Sequence, residues 1–392
     1  MAREWGINTI AVHAGREVNP TRSVAPPIFQ TAVFELEDAA AGARFAQAVA
    51  PTEYYTRWGN PTTRHAEEII AALEGGERAL VLSSGMAAIA TAVLACVRSG
   101  DHIVAGRSLY AATMELFRHT LPRLGIEVTF VPPTDPENFR RALRPNTTLI
   151  YVETPSNPRL DLTDLEAVAR LAREHGVFTI ADNTFATPYN QRPLRFGIDA
   201  VVHSATKYLA GHGDVLGGLV VCRAEFLEIL RALGRTCGPV LGAFESYLTV
   251  RGIKTFALRV ERQCANARTV AEWLKRHPRI ERLHYPGDPA HPDAATVSRL
   301  LPEGLYGGMI SFEIRDAGRE EVFAFMDRLR LIVRATSLGD VHTMILYPAM
   351  SSHRELSPQQ RQRMGIGDNL VRLSVGIEAA EDILEDLEQA LS

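Results

Sequence analysis

Seven short apolar runs of strand length recur between residues 79 and 221, and segments with helical patterning separate them. The runs are Ala79–Leu82, His102–Ala105, Glu127–Val131, Leu149–Val152, Val177–Ala181, Ala200–His203 and Gly218–Val221. Several are apolar on both faces, which is typical of strands in a parallel sheet that helices cover on both sides. Because β and α units alternate, we predict a doubly wound α/β domain over residues 60–250.

The segments between the strands carry start and stop signals of helices. Asn60 can cap a helix that ends before Gly75. Thr163 and Glu166 have the spacing of a capping box, and Gly176 lies where that second helix should end. One helix is therefore predicted ahead of each of these two glycines.

The pattern changes after residue 250. Residues 251–285 are predicted to form one long helix. The remainder mixes strands with helices, over Met309–Ile314, Glu320–Leu329, Leu370–Val375 and Glu378–Leu391. Residues 251–392 are therefore expected to form a smaller α+β domain.

The first 59 residues show little periodicity, and they contain four prolines. A segment without a hydrophobic face of its own must pack against something else. We therefore predict that residues 1–59 form an arm that contacts a neighbouring subunit.

Composition excludes several classes of protein. Hydrophobic residues make up 46% of the 392 residues and charged residues 22%, which excludes a disordered chain. The net charge of −4 provides no basic field for a nucleic acid. The four cysteines have neither CxxC nor Cys/His spacing, so we expect no metal site and a reducing compartment.

Neither a targeting segment nor a membrane span is expected. The N-terminus carries charge and lacks the apolar core of a signal peptide. Residues 79–97 are uncharged, and their length approaches that of a membrane span. The Ser83-Ser84-Gly85 turn within them instead indicates a strand, a turn and a helix. These features predict a cytoplasmic protein.

Polar residues follow the apolar runs at places where an open parallel sheet binds its ligands. Ser84, Gly85 and Met86 follow the first run in a turn that opens a helix, and such a turn can bind an anion. Small residues there can equally serve close packing. Asp182 ends the fifth run, where it can act on a ligand or cap the loop that follows.

The sequence offers only three lysines, and one of them, Lys207, directly follows the sixth run. Ser204 and Thr206 flank it, and a glycine-rich segment comes next. A lysine held in a tight, dry turn has its amine desolvated and its pKa lowered, as a Schiff-base lysine requires.

These elements together fit one cofactor, pyridoxal 5′-phosphate (PLP). The cofactor requires a lysine for the imine and an acid that keeps the pyridine nitrogen protonated. It also requires a phosphate cradle, and its amino-acid substrate requires a cation for the carboxylate. Lys207, Asp182, the turn at Ser84 and an arginine would provide these groups.

Five segments, in the same order along the chain, resemble the Cys/Met-metabolism PLP enzymes. They are YTRWGNPT at 55–62, SGMA at 84–87, ADNT at 181–184, SATKYLAGHGD at 204–214 and RLSVGIE at 372–378. The likeness extends from about Thr9 to Leu391. It implies the PLP-dependent transferase fold type I, with a mostly parallel seven-stranded sheet and the smaller C-terminal domain.

The resemblance also implies roles for matching positions. Lys207 would form the Schiff base and move protons, Asp182 would pair with the pyridinium nitrogen, and Tyr110 would stack on the ring and assist proton transfer. The remaining cofactor contacts would be Tyr55 and Arg57 from a neighbouring subunit, Ser84, Gly85, Met86, Asn157, Ser204 and Thr206. Arg372 would bind the substrate carboxylate beside Ser337, and the enzyme would be a homotetramer built from two catalytic dimers.

Three positions bear on the choice among family members. Relatives that handle cystathionine carry acids where this chain has Tyr54 and Thr336, and methionine γ-lyases carry a cysteine where it has Ala112. We expect γ-elimination or γ-replacement on sulfur or homoserine-derived amino acids, with methionine γ-lyase chemistry first. An O-acetyl- or O-succinylhomoserine sulfhydrylase is the alternative, ahead of a cystathionine γ-lyase or γ-synthase and of a PLP aminotransferase.

Overall fold

Strands from widely separated parts of the chain assemble into one large sheet. The computed structural model describes residues 5–49, 51–351, 354 and 357–392. Within these residues the large sheet contains β1 (Arg78–Leu82), β2 (His102–Gly106), β3 (Glu127–Val131), β4 (Thr147–Glu153), β5 (Phe178–Asp182), β6 (Ala200–Ser204) and β7 (Gly218–Cys222). All seven predicted strands are confirmed, each within two residues at either end.

The strand order is β1-β7-β6-β5-β4-β2-β3. Only β7 runs against its neighbours, because it pairs antiparallel with both β1 and β6. The other pairs are parallel, so the predicted mostly parallel sheet is confirmed. The carboxyl ends of β4, β5 and β6 therefore meet at one edge of the sheet.

Helices surround this sheet and extend into the rest of the chain. The first eight are α1 (Ile7–His13), α2 (Ala39–Gln47), α3 (Pro61–Glu74), α4 (Gly85–Cys96), α5 (Ala111–Glu115), α6 (Leu121–Arg123), α7 (Pro136–Ala142) and α8 (Leu165–His175). They are followed by α9 (Thr187–Asn190), α10 (Ala224–Cys237), α11 (Ala243–Ile253), α12 (Phe256–Arg276), α13 (Ala294–Leu300), α14 (Arg319–Arg328), α15 (Pro358–Arg363) and α16 (Ala380–Leu391). Single turns of tighter or wider helix lie at Arg16–Val18, Leu116–Thr120, Pro193–Phe196 and Pro348–Met350.

Both faces of the large sheet are buried, as the two-sided apolar runs predict. In β1, Leu80 and Leu82 pack in the same cluster as residues of α4 and α10. Their neighbours Ala79 and Val81 point to the other side, where α3 and α11 cover the sheet. Farther along that second face, α8 packs on β4 and β5.

A second, smaller sheet forms the C-terminal part of the fold. Its strands are β8 (Ile280–His284), β9 (Met309–Ile314), β10 (Val333–Arg334), β11 (Met344–Leu346) and β12 (Leu370–Ser374), in the order β10-β11-β12-β9-β8. The helices α12, α14 and α16 bury their apolar faces against it. The expected smaller α+β unit is therefore present.

The single long helix predicted over 251–285 is wrong. The chain leaves the helical conformation at Thr255, whose φ of −109° and ψ of 5° separate α11 from α12. The second helix ends at Arg276, because Pro278 disfavours helical backbone at the residue before it. The chain then continues as the strand β8.

Both predicted helix stops are confirmed, since Gly75 and Gly176 adopt the left-handed conformation. The Asn60 cap is also confirmed, because its side chain accepts the N–H of Thr62 at 2.9 Å. The Thr163 cap is wrong. Asp164 takes that position and accepts the N–H of Ala167 at 3.1 Å, and aspartate is the stronger capping residue.

The N-terminal arm contains more regular structure than its sequence indicates. Helices α1 and α2 lie within it, and the Asp38 side chain caps α2 by accepting the N–H of Ala41. Residues 1–4 and 50 of the predicted arm lie outside the described residues. In the described part of the chain, no helix has the length and apolar character needed to cross a membrane.

Candidate active site

Lys207 lies in the turn that follows β6 and points toward the C-terminal part of the fold. Its Nζ donates a hydrogen bond to Ser337 Oγ at 3.0 Å. Burial, and after it the positive charge of Arg372, lowers the pKa of the Lys207 amine to about 8. A larger share of this amine is therefore neutral near pH 7 than in an exposed lysine, which makes it a competent nucleophile.

Asp182 ends β5, in register with Val202 of the strand that leads to Lys207. The carboxyl group is buried, and burial raises its pKa above the ordinary range of an aspartate. Its Oδ1 accepts the N–H of Thr184 at 3.0 Å, so the residue also caps the loop. The two interpretations of Asp182 that the sequence left open are therefore compatible.

Glu153 is a buried acid that the sequence analysis missed. It ends β4 directly beside Asp182, and its Oε2 accepts the main-chain N–H of Tyr110 at 2.7 Å. Burial, and after it the Asp182 carboxylate, raises the pKa of Glu153 well above its usual range. The available signal was the one that identified Asp182, an acid that follows a buried apolar run.

The turn after β1 forms the start of α4. The Ser84 Oγ accepts the N–H of Ala87 at 3.0 Å and caps this helix of twelve residues. A Cβ on Gly85 would lie 2.8 Å from the Ser204 Cβ, so the turns after β1 and β6 touch. Main-chain N–H groups at the helix start thus face a hydroxyl from a second turn, an arrangement that suits an anion.

Three further predicted cofactor residues have partners near this turn. The sulfur of Met86 accepts a weak hydrogen bond from the Thr113 hydroxyl, and the Ser204 N–H donates to Thr184 Oγ1 at 2.9 Å. The Thr206 hydroxyl accepts the N–H of Gly217 at 3.1 Å. Thr206 therefore also ties the lysine turn to the glycine-rich segment after it.

Arg372 lies in β12 and faces Lys207 from the smaller sheet. Its Nη1 donates to Asn157 Oδ1 at 2.9 Å, and its Nη2 donates to the main-chain oxygen of Ser337 at 3.3 Å. The Nε atom is buried without a hydrogen-bond partner. Burial lowers the pKa of Arg372 to about 10, which leaves it cationic at pH 7. A carboxylate would satisfy this buried cation.

The remaining predicted residues are exposed. Tyr110 directly precedes α5 with 47% of its surface accessible, and Tyr55 in the arm is 37% exposed. Arg57 donates to the main-chain oxygen of Arg235 at 2.6 Å and stacks on Trp58. Within one chain, Tyr55 and Arg57 line a separate hollow of about 440 Å³ beside residues 240–243.

The buried residues fit the cofactor that the sequence predicts. A desolvated lysine, an acid at the neighbouring strand end and a helix start that suits a phosphate lie at one edge of the sheet. Gly85 leaves the close contact with Ser204 open, where any larger residue would intrude. The buried guanidinium of Arg372, whose Nε has no hydrogen-bond partner, offers an N–H donor that suits a carboxylate.

Comparison with known proteins identifies a PLP-dependent family over almost the whole chain. The family model described as Cys/Met metabolism PLP-dependent enzyme matches residues 8–392. An L-methionine γ-lyase from Fusobacterium nucleatum is 45% identical over 99% of this chain and 98% of that protein. An O-succinylhomoserine sulfhydrylase from Pseudomonas aeruginosa is 41% identical over 98% of this chain and 95% of that protein.

Solved structures agree with these relatives. Cystathionine γ-lyase from Lactobacillus plantarum, complexed with L-serine, superposes with a TM-score of 0.91 and 38% identity, over 98% of each chain. The chain therefore belongs to the Cys/Met metabolism family of PLP-dependent enzymes, with fold type I and pyridoxal 5′-phosphate as its cofactor.

Proposed function

We propose that this enzyme catalyses γ-elimination from L-methionine. The observation that carries the proposal is the convergence of a desolvated lysine, Lys207, with Ser337 and Arg372, which provides a base and a carboxylate clamp at one place. The relatives at 44–45% identity named L-methionine γ-lyase support this choice of substrate.

The chain's own residues would divide the work of holding the cofactor. When bound, PLP supplies an electron sink that stabilises negative charge next to the substrate nitrogen. Asp182 would hold the proton on the ring nitrogen, while Ser84, Gly85, Met86, Ser204 and Thr206 would bind the phosphate. Asn157, on the loop after β4, would contact the ring from the side of Arg372.

The same geometry would orient the substrate. Arg372 would donate two parallel hydrogen bonds to the α-carboxylate, because a guanidinium matches the fork of a carboxylate. Lys207 Nζ would then lie beside the α-carbon, where it can accept a proton and return it farther along the side chain. Tyr110, at the start of α5, would transfer a proton at the departing sulfur.

The region that would receive the distal end of the substrate lacks the acids of cystathionine-handling relatives. Tyr54 packs edge-on against Trp58, and the exposed Thr336 lines a hollow of about 320 Å³ whose other residues include Asp327 and Arg334. Neither Tyr54 nor Thr336 carries a charge that could pair with a distal ammonium, whereas a thioether needs no such partner. Ala112 precedes the buried Thr113 on α5 and adds no charged group.

The reaction is tested by its products. Methionine and water should give 2-oxobutanoate, ammonia and methanethiol in equal amounts, assayed with the purified, PLP-loaded enzyme. Product from methionine without any added sulfur compound would support the lyase. Homocysteine formed only from O-acetyl- or O-succinyl-L-homoserine with sulfide would contradict it and identify a sulfhydrylase, the alternative that the Pseudomonas aeruginosa relative favours.

We also propose that the arm over residues 1–59 contacts a neighbouring subunit of a homotetramer, with residues 60–250 forming the cofactor domain and 251–392 the C-terminal domain. The exposure of Tyr55 and the hydrogen bond of Arg57 to the main-chain oxygen of Arg235 support this arrangement. The four free thiols suit a reducing cytoplasm. Light scattering and size-exclusion chromatography of the purified protein test the assembly.

A further inference from the structure

Helix α12 carries three buried polar side chains on one face. Arg259, Gln263 and Asn266 follow the i, i+4, i+7 spacing that places residues on one side of a helix. Their exposed fractions are 5%, 0% and 4%. We call these three residues the polar stripe. Such side chains need partners, because an unsatisfied polar group is costly to bury.

Arg259 binds the loop that follows Lys207, which we call the lysine loop (residues 208–211). Its Nη1 donates to the main-chain oxygen of Tyr208 at 2.8 Å, and its Nη2 donates to those of Leu209 at 3.2 Å and Gly252 at 2.9 Å. A Cβ on Gly211 would lie 1.8 Å from Nη1. The glycine, whose φ is +73°, therefore leaves room for the guanidinium.

The other two residues bind two further loops. Gln263 Nε2 donates to the main-chain oxygen of Asp340 at 2.7 Å, in the serine loop (residues 338–341) that follows Ser337. Asn266 Nδ2 donates to the main-chain oxygens of Gly376 at 3.1 Å and Glu378 at 2.8 Å. Those residues lie in the arginine loop (residues 375–378), just after the strand that carries Arg372.

The three loops are also bonded to one another. The N–H of Val341 in the serine loop donates to the oxygen of Gly211 in the lysine loop at 3.0 Å. The N–H of Ile377 in the arginine loop donates to the oxygen of Val341 at 2.9 Å. The polar stripe therefore binds three loops that main-chain hydrogen bonds also join to one another. These loops lie next to Lys207, Ser337 and Arg372.

We propose that the polar stripe sets the relative positions of Lys207, Ser337 and Arg372, so that its members are positioning residues for the reaction. This inference rests on the proposed function for the roles of those three residues. The bonds at 2.7–3.2 Å fix main-chain atoms, and main-chain atoms fix where the reactive side chains begin.

Arg259 is the member whose effect on Lys207 can be measured most directly. The variant Arg259→Lys keeps the charge, but a single ammonium does not span the three carbonyls that the guanidinium fork binds. The lysine loop should then loosen, the Lys207 amine should gain water, and its pKa should rise from about 8 by about one unit. The neutral, reactive fraction of Lys207 at pH 7 would fall roughly tenfold.

The readout is the pH dependence of amine labelling in the cofactor-free full chain, followed for each lysine by mass spectrometry. Lys254 and Lys275 provide internal references within the same molecule. The matched control is Arg231→Lys, which changes another arginine of 5% exposure, one that binds Glu67 Oε2 at 2.5 Å and belongs to a different helix. The control should lower thermal stability and leave the titration of Lys207 unchanged.

The proposal is supported if the pKa of Lys207 rises in Arg259→Lys and stays unchanged in Arg231→Lys. If neither variant moves the Lys207 titration, or if both move it equally, Arg259 only stabilises the fold and the proposal is wrong. This measurement requires no turnover. If the pKa of Lys207 rises in Arg259→Lys but the wild-type enzyme leaves methionine intact, the positioning role of the polar stripe is supported and the proposed substrate is wrong.

Asn266→Ala gives a second test that does not depend on the folding of the arginine variant. Loss of its two bonds should displace Arg372, raising the KM of the loaded enzyme for its amino-acid substrate roughly 5- to 10-fold. We expect kcat to change less than about twofold. Thr269→Ala, at an exposed position on the same helix, is the control and should change neither constant. An unchanged KM in Asn266→Ala would contradict the proposal.

Discussion

The residues assigned to the cofactor and the substrate fall into two groups that the chain holds very differently. Asp182 and Arg372 are at most 6% exposed, and with Lys207 they are fixed by hydrogen bonds within one chain. Tyr55 and Tyr110 are 37% and 47% exposed, and Arg57 donates to the main-chain oxygen of Arg235. One chain would thus provide Lys207, Asp182, Arg372 and Tyr110, and the proposed neighbouring subunit would provide Tyr55 and Arg57, which we call the exposed wall. Four experiments test this contrast.

Removal of the reactive amine should have the largest effect. Lys207→Ala should lower the release of 2-oxobutanoate by roughly 10³-fold or more, because covalent attachment and proton transfer both depend on this group. The visible absorption band of the lysine-bound cofactor should disappear as well. Lys275→Ala, which removes an exposed lysine paired with Asp288, should retain both the release of 2-oxobutanoate and the absorption band. Wild-type turnover by Lys207→Ala would overturn the assignment.

Asp182→Asn should lower turnover by roughly 10²-fold, because an amide cannot hold the ring nitrogen protonated as a carboxylate does. The effect should appear mainly in kcat. Asp135→Asn changes an exposed helix cap after the edge strand β3, which β4 and β2 separate from the strand of Asp182, and its kcat should match the wild type. Equal losses in the two variants would show that the carboxylate at position 182 is structural.

The exposed wall can be tested by mixing subunits. Arg57→Ala should weaken PLP binding by roughly tenfold, since it removes a charged hydrogen-bond donor. When Arg57→Ala and Lys207→Ala subunits are unfolded and reassembled together, mixed dimers would contain one intact site. Up to about a quarter of wild-type activity should return. No recovery above the sum of the separate variants would contradict the shared site.

The last expected effect is on stability and leaves activity aside. The lowered pKa of Lys207 means that burying its ammonium costs stability below pH 8, and this cost declines as the pH rises from about 8 to 10.5. Lys207→Met should therefore stabilise the cofactor-free chain at pH 7, by at most about 3 kcal/mol, and the gain should vanish above pH 10.5. Urea unfolding at both pH values measures it, with Lys275→Met as the control.

The same contrast explains what the sequence could predict. Six of the seven strands were predictable because they are buried on both faces, so packing and local pattern agree, whereas the edge strand β3 is only partly buried. Lys207 and Asp182 were predictable because a polar residue directly after such a strand is a local feature. Tyr55 and Arg57 could be proposed only from the family resemblance, since nothing in their local sequence pattern distinguishes them.

The errors share a physical cause. The break at Thr255 and the cap at Asp164 depend on which of several suitable residues the tertiary fold selects. The polar stripe was also missed, because Arg259, Gln263 and Asn266 have the composition of a solvated helix face. Only the loops packed against that face reveal that it is buried.

The position of β1 has a consequence for synthesis of the protein. This strand lies at the edge of the large sheet beside β7, whose partner residues are 218–222. A chain growing from its N-terminus therefore carries residues 78–82 long before their sheet neighbour exists, and all other strands of that sheet are made in between. The serine and glycine turn after β1 also reaches its contact with Gly218 only then. We expect cofactor uptake to be a late event on the ribosome, one that waits for more than half of the chain.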